Sequence, residues 1–165
     1  MARGIGLVYG GGSVGLMGVL ADAVLERGGA VTGVIPRALA TKEVAHQGLG
    51  DLRVVASMHE RKAVMAARAD GFVALPGGFG TFDELFEVIT WAQLGLHAKP
   101  IGVLNIEGYF DAFATLVDRA VVEGFVLPQY RALLVTAAGP EELLARLETY
   151  VPPAGLFKWI AIDET

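Results

Sequence analysis

Short apolar runs alternate with helix-length segments along most of this chain. Residues 4–9 (GIGLVY) form a brief apolar run that ends in glycines and predicts a buried strand. Residues 14–27 predict a helix stopped by Gly28-Gly29. Residues 30–35 predict a second strand, closed by Pro36, and 36–50 is the least regular stretch, with helical pieces possible. A strand over 52–56, a helix over 58–69 and a buried strand over 71–75 follow. Residues 82–94 carry Phe82, Leu85, Phe86, Ile89 and Gln93 at helical spacing. A strand at 101–104, a helix at 109–123, a strand at 132–135 and a helix at 141–147 complete the pattern, with an irregular tail from Pro152. Strands that are apolar throughout, rather than alternating, belong to parallel sheets covered by helices. The pattern therefore predicts one α/β domain over 1–165, a Rossmann-like doubly wound parallel sheet with helices on both faces. Ligands of such sheets bind beyond the carboxyl ends of the strands, so the loops there are where chemistry is to be sought.

Composition removes several classes of function. Thirteen basic residues against eighteen acidic ones give a net charge of −5, the wrong sign for a nucleic-acid binder with a basic face. The absence of cysteine excludes a disulfide framework, a thiolate nucleophile and a cysteine-ligated metal. His46, His59 and His97 show no metal-ligand spacing, so no metal is expected. A hydrophobic share of 53% with 19% charged residues excludes a disordered chain. The first residues lack a secretory pattern and no apolar run reaches spanning length, which gives the expectation of a cytoplasmic protein without membrane or nucleic-acid partners. Glycine is the informative excess. Its 22 occurrences are about twice the ordinary ~7% share, and two loops are especially rich in it.

The first loop, Gly10-Gly11-Gly12-Ser13-Val14-Gly15, follows a predicted strand and opens a predicted helix. Glycines there let backbone amides approach an anion, and the helix terminus adds partial positive charge. Gly11 and Gly12 are candidate binding residues on that ground; the alternative is a tight turn with no ligand. The next strand ends Val34-Ile35-Pro36-Arg37 without the carboxylate that a dinucleotide site places on the ribose, which argues against NAD. The second loop, Pro76-Gly77-Gly78-Phe79-Gly80-Thr81, precedes a helix bearing Asp83, Glu84 and Glu87. Thr81 and Glu84 have capping-box spacing, so Glu84 is either a helix cap or a site carboxylate. Glu87 is one turn further on, lining a pocket with Glu84 or facing solvent. Ser57-Met58-His59-Glu60 is a second capping-box candidate. It puts Arg61 and Lys62 near a helix start, where cations oppose the macrodipole unless an anion binds. His59 reads as a structural histidine.

Together these segments resemble the LONELY GUY (LOG) family of cytokinin-activating phosphoribohydrolases, many of which carry the label lysine decarboxylase. The likeness rests on Leu7-Val8-Tyr9-Gly10-Gly11-Gly12, Gly15-Leu16-Met17-Gly18, Gly33-Val34-Ile35-Pro36, Met58-His59-Glu60-Arg61-Lys62 and Pro76-Gly77-Gly78-Phe79-Gly80-Thr81-Phe82-Asp83-Glu84. It continues through Val88-Ile89-Thr90-Trp91-Ala92-Gln93-Leu94-Gly95 and Gly108-Tyr109-Phe110. The resemblance implies hydrolysis of the N-glycosidic bond of an adenosine 5′-monophosphate, N6-modified or plain, to free base and ribose 5-phosphate. It implies Arg61 and Glu84 as the catalytic pair. It implies substrate contacts from Glu43, Lys62, Gly77, Gly78, Phe79, Gly80, Thr81, Asp83 and Thr90, no cofactor, and a homodimer or larger assembly. Family members usually carry a further strand and helix ahead of the segment at which this chain starts. Two other readings stand beside it. A non-catalytic carrier of a nucleotide or of the molybdenum cofactor would use the same glycine loops without a catalytic carboxylate. A pyridoxal-dependent decarboxylase would need a Schiff-base lysine among Lys42, Lys62, Lys99 and Lys158, and Lys62 is better explained as part of the anion site.

Overall fold

Parallel pairing joins strands that a helix separates in sequence, and it recurs in both halves of the chain. The computed structural model describes residues 3–40, 45–154 and 156, and the chain divides into two compact units, Met1–Ala69 and Asp70–Thr165.

In the first unit β1 (Leu7–Tyr9), β2 (Val31–Pro36) and β3 (Asp51–Val55) pair in that order, all parallel. Leu7 lies opposite Val31, and Thr32 opposite Asp51. Helix α1 (Gly15–Leu25) connects β1 to β2, and α2 (Met58–Arg68) follows β3. Tyr9, Ala21 and Val31 are buried together, with Leu7, Val24, Leu25 and Leu49 packed on them. The irregular stretch after Pro36 begins with one 3₁₀ turn, Arg37–Leu39.

In the second unit β4 (Phe72–Ala74), β5 (Ile101–Leu104) and β6 (Leu134–Ala137) pair in that order, again all parallel. Between them run α3 (Phe79–Gln93), α4 (Asp111–Val122) and the single turn α5 (Pro128–Arg131), with α6 (Pro140–Glu148) after β6. The larger core contains Leu85, Val88, Ile101, Val103, Phe110, Phe113 and Leu133. A fully buried side chain of this kind contributes about 1.5–3 kcal/mol. A run of tilted rings, Phe82–Phe110–Phe113–Phe86, has centroid spacings of 6.3, 6.2 and 5.5 Å. Edge-to-face contacts like these add about 0.5–1.5 kcal/mol each, and here they lock α3 to α4.

Parallel sheets flanked by helices are the Rossmann-like α/β arrangement that the hydrophobic pattern predicts. Most boundaries shift by one to three residues, and three of the shifts have a clear local reason. The last strand begins at Leu134 rather than at 132, because Pro128 opens a helical turn whose final bonds reach Ala132 and Leu133. The helix expected from 109 starts at Asp111, since residues 106–108 form a 3₁₀ turn with Glu107 in the left-handed region (φ 52°). The third difference, at the start of α3, bears on the site and is described below. Among the described residues no helix is long and apolar enough to cross a membrane.

His97 joins α3 to the approach of β5. Its Nε2–H donates to the Val88 carbonyl (2.9 Å) and its Nδ1 accepts from the Lys99 amide (3.2 Å), while the ring lies 5.1 Å from that of Phe72. Burial pushes its pKa below 6.5; the bond to Val88 opposes this in part, and the Lys99 charge adds to it. The unfolded chain therefore takes up this proton at a higher pH than the folded one. Stability is full above about pH 6.5 and falls as the pH drops below it, by at most about 1.4 kcal/mol per pH unit for one group. His97→Gln keeps a donor for Val88 and removes the titration. Urea unfolding of the two proteins from about pH 7 to about pH 5 is expected to show a shallower loss for the variant. Parallel curves would show that the imidazole contributes none of the acid sensitivity.

Candidate functional site

At the carboxyl end of β1 the chain turns through residues 10–14 into α1. Gly11 has φ +71°, and a side chain there would lie 3.1 Å from Leu52 Cδ1 and 3.2 Å from Ile35 Cβ, so strain and crowding both require glycine. Gly11 and Gly12 are buried. The Gly11 carbonyl accepts the His46 amide (2.9 Å), and Gly12 bridges Ala45 in antiparallel fashion.

The expected cap of α2 forms. Ser57 Oγ accepts the Glu60 amide (3.1 Å), and Glu60 Oε2 accepts the Ala56 amide (2.7 Å), one residue ahead of the N-cap. The cap holds Arg61, half-buried, in register with the first loop. A Cβ on Gly10 would overlap the Arg61 guanidinium and sit 2.9 Å from its Cζ, so the guanidinium lies directly on the glycine backbone. Arg61 Nη1 also lies 3.8 Å from Met58 Sδ. The structure thus brings Arg61 to the glycine loop, and Lys62, half-buried, follows it on the helix. His59 is exposed in the first turn. Glu43 lies outside the described residues.

In the second unit the Pro76–Gly77–Gly78 turn leads from β4 into α3, which begins at Phe79 with Gly78 as its N-cap and no side-chain capping bond. This corrects the capping-box reading of Thr81 and Glu84. Thr81 sits inside the first turn, its amide bonded to the Gly78 carbonyl (3.0 Å), and Glu84 lies in the second turn. The helix starts early because glycine at N-cap is acceptable without a side-chain acceptor and Thr81 packs over Gly77 instead. A Cβ on Gly77 would overlap the Thr81 hydroxyl and lie 3.2 Å from its Cβ. Glu84 is therefore not a capping carboxylate.

The core side of α3 is Leu85, Val88 and Ala92. Glu84 and Glu87 are half-buried, Asp83 is exposed, and Phe79 is 93% exposed. Thr90 is exposed and its hydroxyl donates to the Phe86 carbonyl (2.7 Å). One residue outside the sequence-derived set also acts on this loop. Tyr109 Oη donates to the Gly77 carbonyl at 2.5 Å, from a turn in which Asn105 bonds both the Phe110 amide and Asp111 (2.7 Å each). No spacing rule connects Tyr109 to residue 77, thirty-two positions away, so sequence reading could not find it.

Comparison with known proteins adds an independent observation. The family model described as possible lysine decarboxylase matches residues 17–147. The chain is 54% identical over 152 residues to the probable cytokinin riboside 5′-monophosphate phosphoribohydrolase LOGL3 of Oryza sativa subsp. japonica, covering 92% of this chain and 72% of that protein. It is 52% identical over 152 residues to cytokinin riboside 5′-monophosphate phosphoribohydrolase LOG1 of Arabidopsis thaliana, covering 92% and 71%. It is 54% identical over 150 residues to the probable enzyme LOG6 of Arabidopsis thaliana, covering 91% and 75%. The chain belongs to the LOG phosphoribohydrolase family. The family model's description names a lysine decarboxylase, whereas these LOG relatives are named for phosphoribosyl hydrolysis.

The LOG-type second loop contains two kinds of glycine. Gly77 is required by Thr81 above it, whereas a Cβ on Gly80, inside α3, would meet nothing within 4 Å among the described residues. Gly77→Ala is expected to cost about 1–3 kcal/mol through overlap, and Gly80→Ala to gain up to about 1 kcal/mol of helix stability. Urea unfolding midpoints check both, and a destabilised Gly80→Ala would show that the fold itself needs that glycine.

Proposed function

We propose that this protein hydrolyses the N-glycosidic bond of adenosine 5′-monophosphate or its N6-modified forms, releasing free base and ribose 5-phosphate. The observation that carries the proposal is the Arg61 guanidinium seated on Gly10 beside the Gly11–Gly12 backbone, an arrangement suited to a phosphate dianion. Arginine offers paired donors to phosphate oxygens, and glycine-loop amides at a helix start add further donors. Cations near a helix N-terminus are otherwise unfavourable, and a bound phosphate removes that cost. The named activities of relatives at 52–54% identity support the same chemistry.

The reaction develops oxocarbenium character at C1′ as the base departs, and water then supplies the new oxygen. Glu84 takes the role of stabilising that charge or deprotonating the water. Lys62 and the Gly11 and Gly12 amides join Arg61 on the phosphate. Gly77, Gly78, Phe79, Gly80, Thr81, Asp83, Glu87 and Thr90, with Glu43, provide the remaining substrate contacts. The protein acts in the cytoplasm as a homodimer or larger assembly. Exposed apolar side chains at the start of α1 (Val14, Leu16, Met17 and Val19, between 46% and 64% exposed) support self-association.

The deciding experiment is a chromatographic assay for free base, run with AMP and N6-isopentenyl-AMP in parallel. Wild-type protein is expected to release base and ribose 5-phosphate in equal amounts. Glu84→Gln and Arg61→Ala are each expected to lose at least about 100-fold of that rate while remaining folded. Full turnover by either variant would remove it from the catalytic pair, and nucleotide binding without product from the wild type would favour a carrier.

A further inference from the structure

His46 carries no role in the reading above, yet it is buried, at 7% exposure, beside the first glycine loop. Its Nδ1 accepts the Gly48 amide (3.2 Å), so the proton of the neutral ring resides on Nε2. That Nε2–H donates to Asp22 Oδ1 of α1 at 2.9 Å. The backbone of the same residue donates to the Gly11 carbonyl, while neighbouring Ala45 bridges Gly12. These bonds close a ring. The glycine loop runs into α1, α1 returns through Asp22 to the His46 imidazole, and the His46 backbone returns to the glycine loop. Tyr9, the last residue of β1, is buried, its hydroxyl without a hydrogen-bond partner among the described residues. Burial, with the Asp22 charge adding to it, pushes its pKa up to about 12.

We propose that His46 is a positioning residue, whose bond to Asp22 holds the Gly11–Gly12 loop in the shape that receives the nucleotide phosphate. The inference rests on the hydrolase reading for its ligand and on the first unit's geometry for its mechanism. Arg61 cannot replace this bond, since it approaches the loop from α2 at Gly10, whereas His46 fixes the loop at Gly11 and ties it to α1. A loop that holds the phosphate equally in ground and transition states affects KM rather than kcat, and displacement of binding groups by about 1 Å is enough to matter.

His46→Ala and Asp22→Ala are each expected to raise KM for AMP about tenfold with kcat within about threefold. The double variant should be no worse than the weaker single one, because both remove the same link. His46→Gln keeps a donor at the Nε2 position and should restore KM to within about threefold of wild type, while His46→Asn keeps only the Nδ1-like acceptor and should not. A purely structural role would lower the unfolding midpoint and leave KM unmoved, so an unchanged KM in His46→Ala and Asp22→Ala overturns the proposal. If His46→Ala does not fold, His46→Asn and Asp22→Ala carry the same comparison. If the wild type binds AMP and N6-isopentenyl-AMP calorimetrically without hydrolysing either, the hydrolase reading fails alone. The tenfold effect is then read in Kd, and its absence overturns the positioning role. A wild type that neither binds nor hydrolyses either nucleotide overturns both.

Discussion

A guanidinium can rest on a peptide backbone only where that backbone carries no side chain. Gly10 meets this condition at the end of β1, and Arg61 occupies the place where a Cβ would project. The consequences run in both directions. Towards the fold, it sets the position of α2, because the Ser57 and Glu60 caps must present the fourth helical residue to that point. Towards chemistry, it concentrates an arginine charge beside backbone amides that are buried and held by their neighbours, rather than on a solvated helix face where the same charge would be screened.

The second unit solves a different problem, which is to hold a helix that bears the carboxylates of Asp83, Glu84 and Glu87. Leu85, Val88 and Ala92 anchor α3 on the core, and the Phe82–Phe110–Phe113–Phe86 rings fix its rotation. Rotation matters because a helical step of 100° separates Glu84 from Leu85, so a small roll would exchange an acid for an apolar side chain. Tyr109 fixes the other end by bonding the Gly77 carbonyl. Loop and helix are thereby held by side chains of α4 and the turn before it, together with the fit of Thr81 over Gly77.

What the chain revealed in advance follows from which forces are local. Strand 101–104 was legible to the residue because four consecutive apolar positions are fully buried. The Ser57–Glu60 cap was legible because its partners are three residues apart. The start of α3 was misjudged because Thr81 and Glu84 satisfy a local rule that a longer-range fit, Thr81 over Gly77, outweighs. The beginning of β6 was misjudged because Pro128 can open a helical turn as readily as end one. His46 was invisible for a deeper reason: its partners are Gly11, Asp22 and Gly48, spread over three segments, and a lone histidine without metal spacing carries no sequence signal.

The glycines of the two loops separate along the same line. Gly10, Gly11 and Gly77 each have a neighbour that a side chain would strike, so the fold accounts for them. Gly80 has none among the described residues, and its helical position makes it costlier than alanine by about 0.5–1 kcal/mol. The first turn of α3, with a glycine N-cap and no side-chain cap, therefore gives up helix stability that an alanine at Gly80 would supply, and the packing of the described residues gives no reason for that glycine.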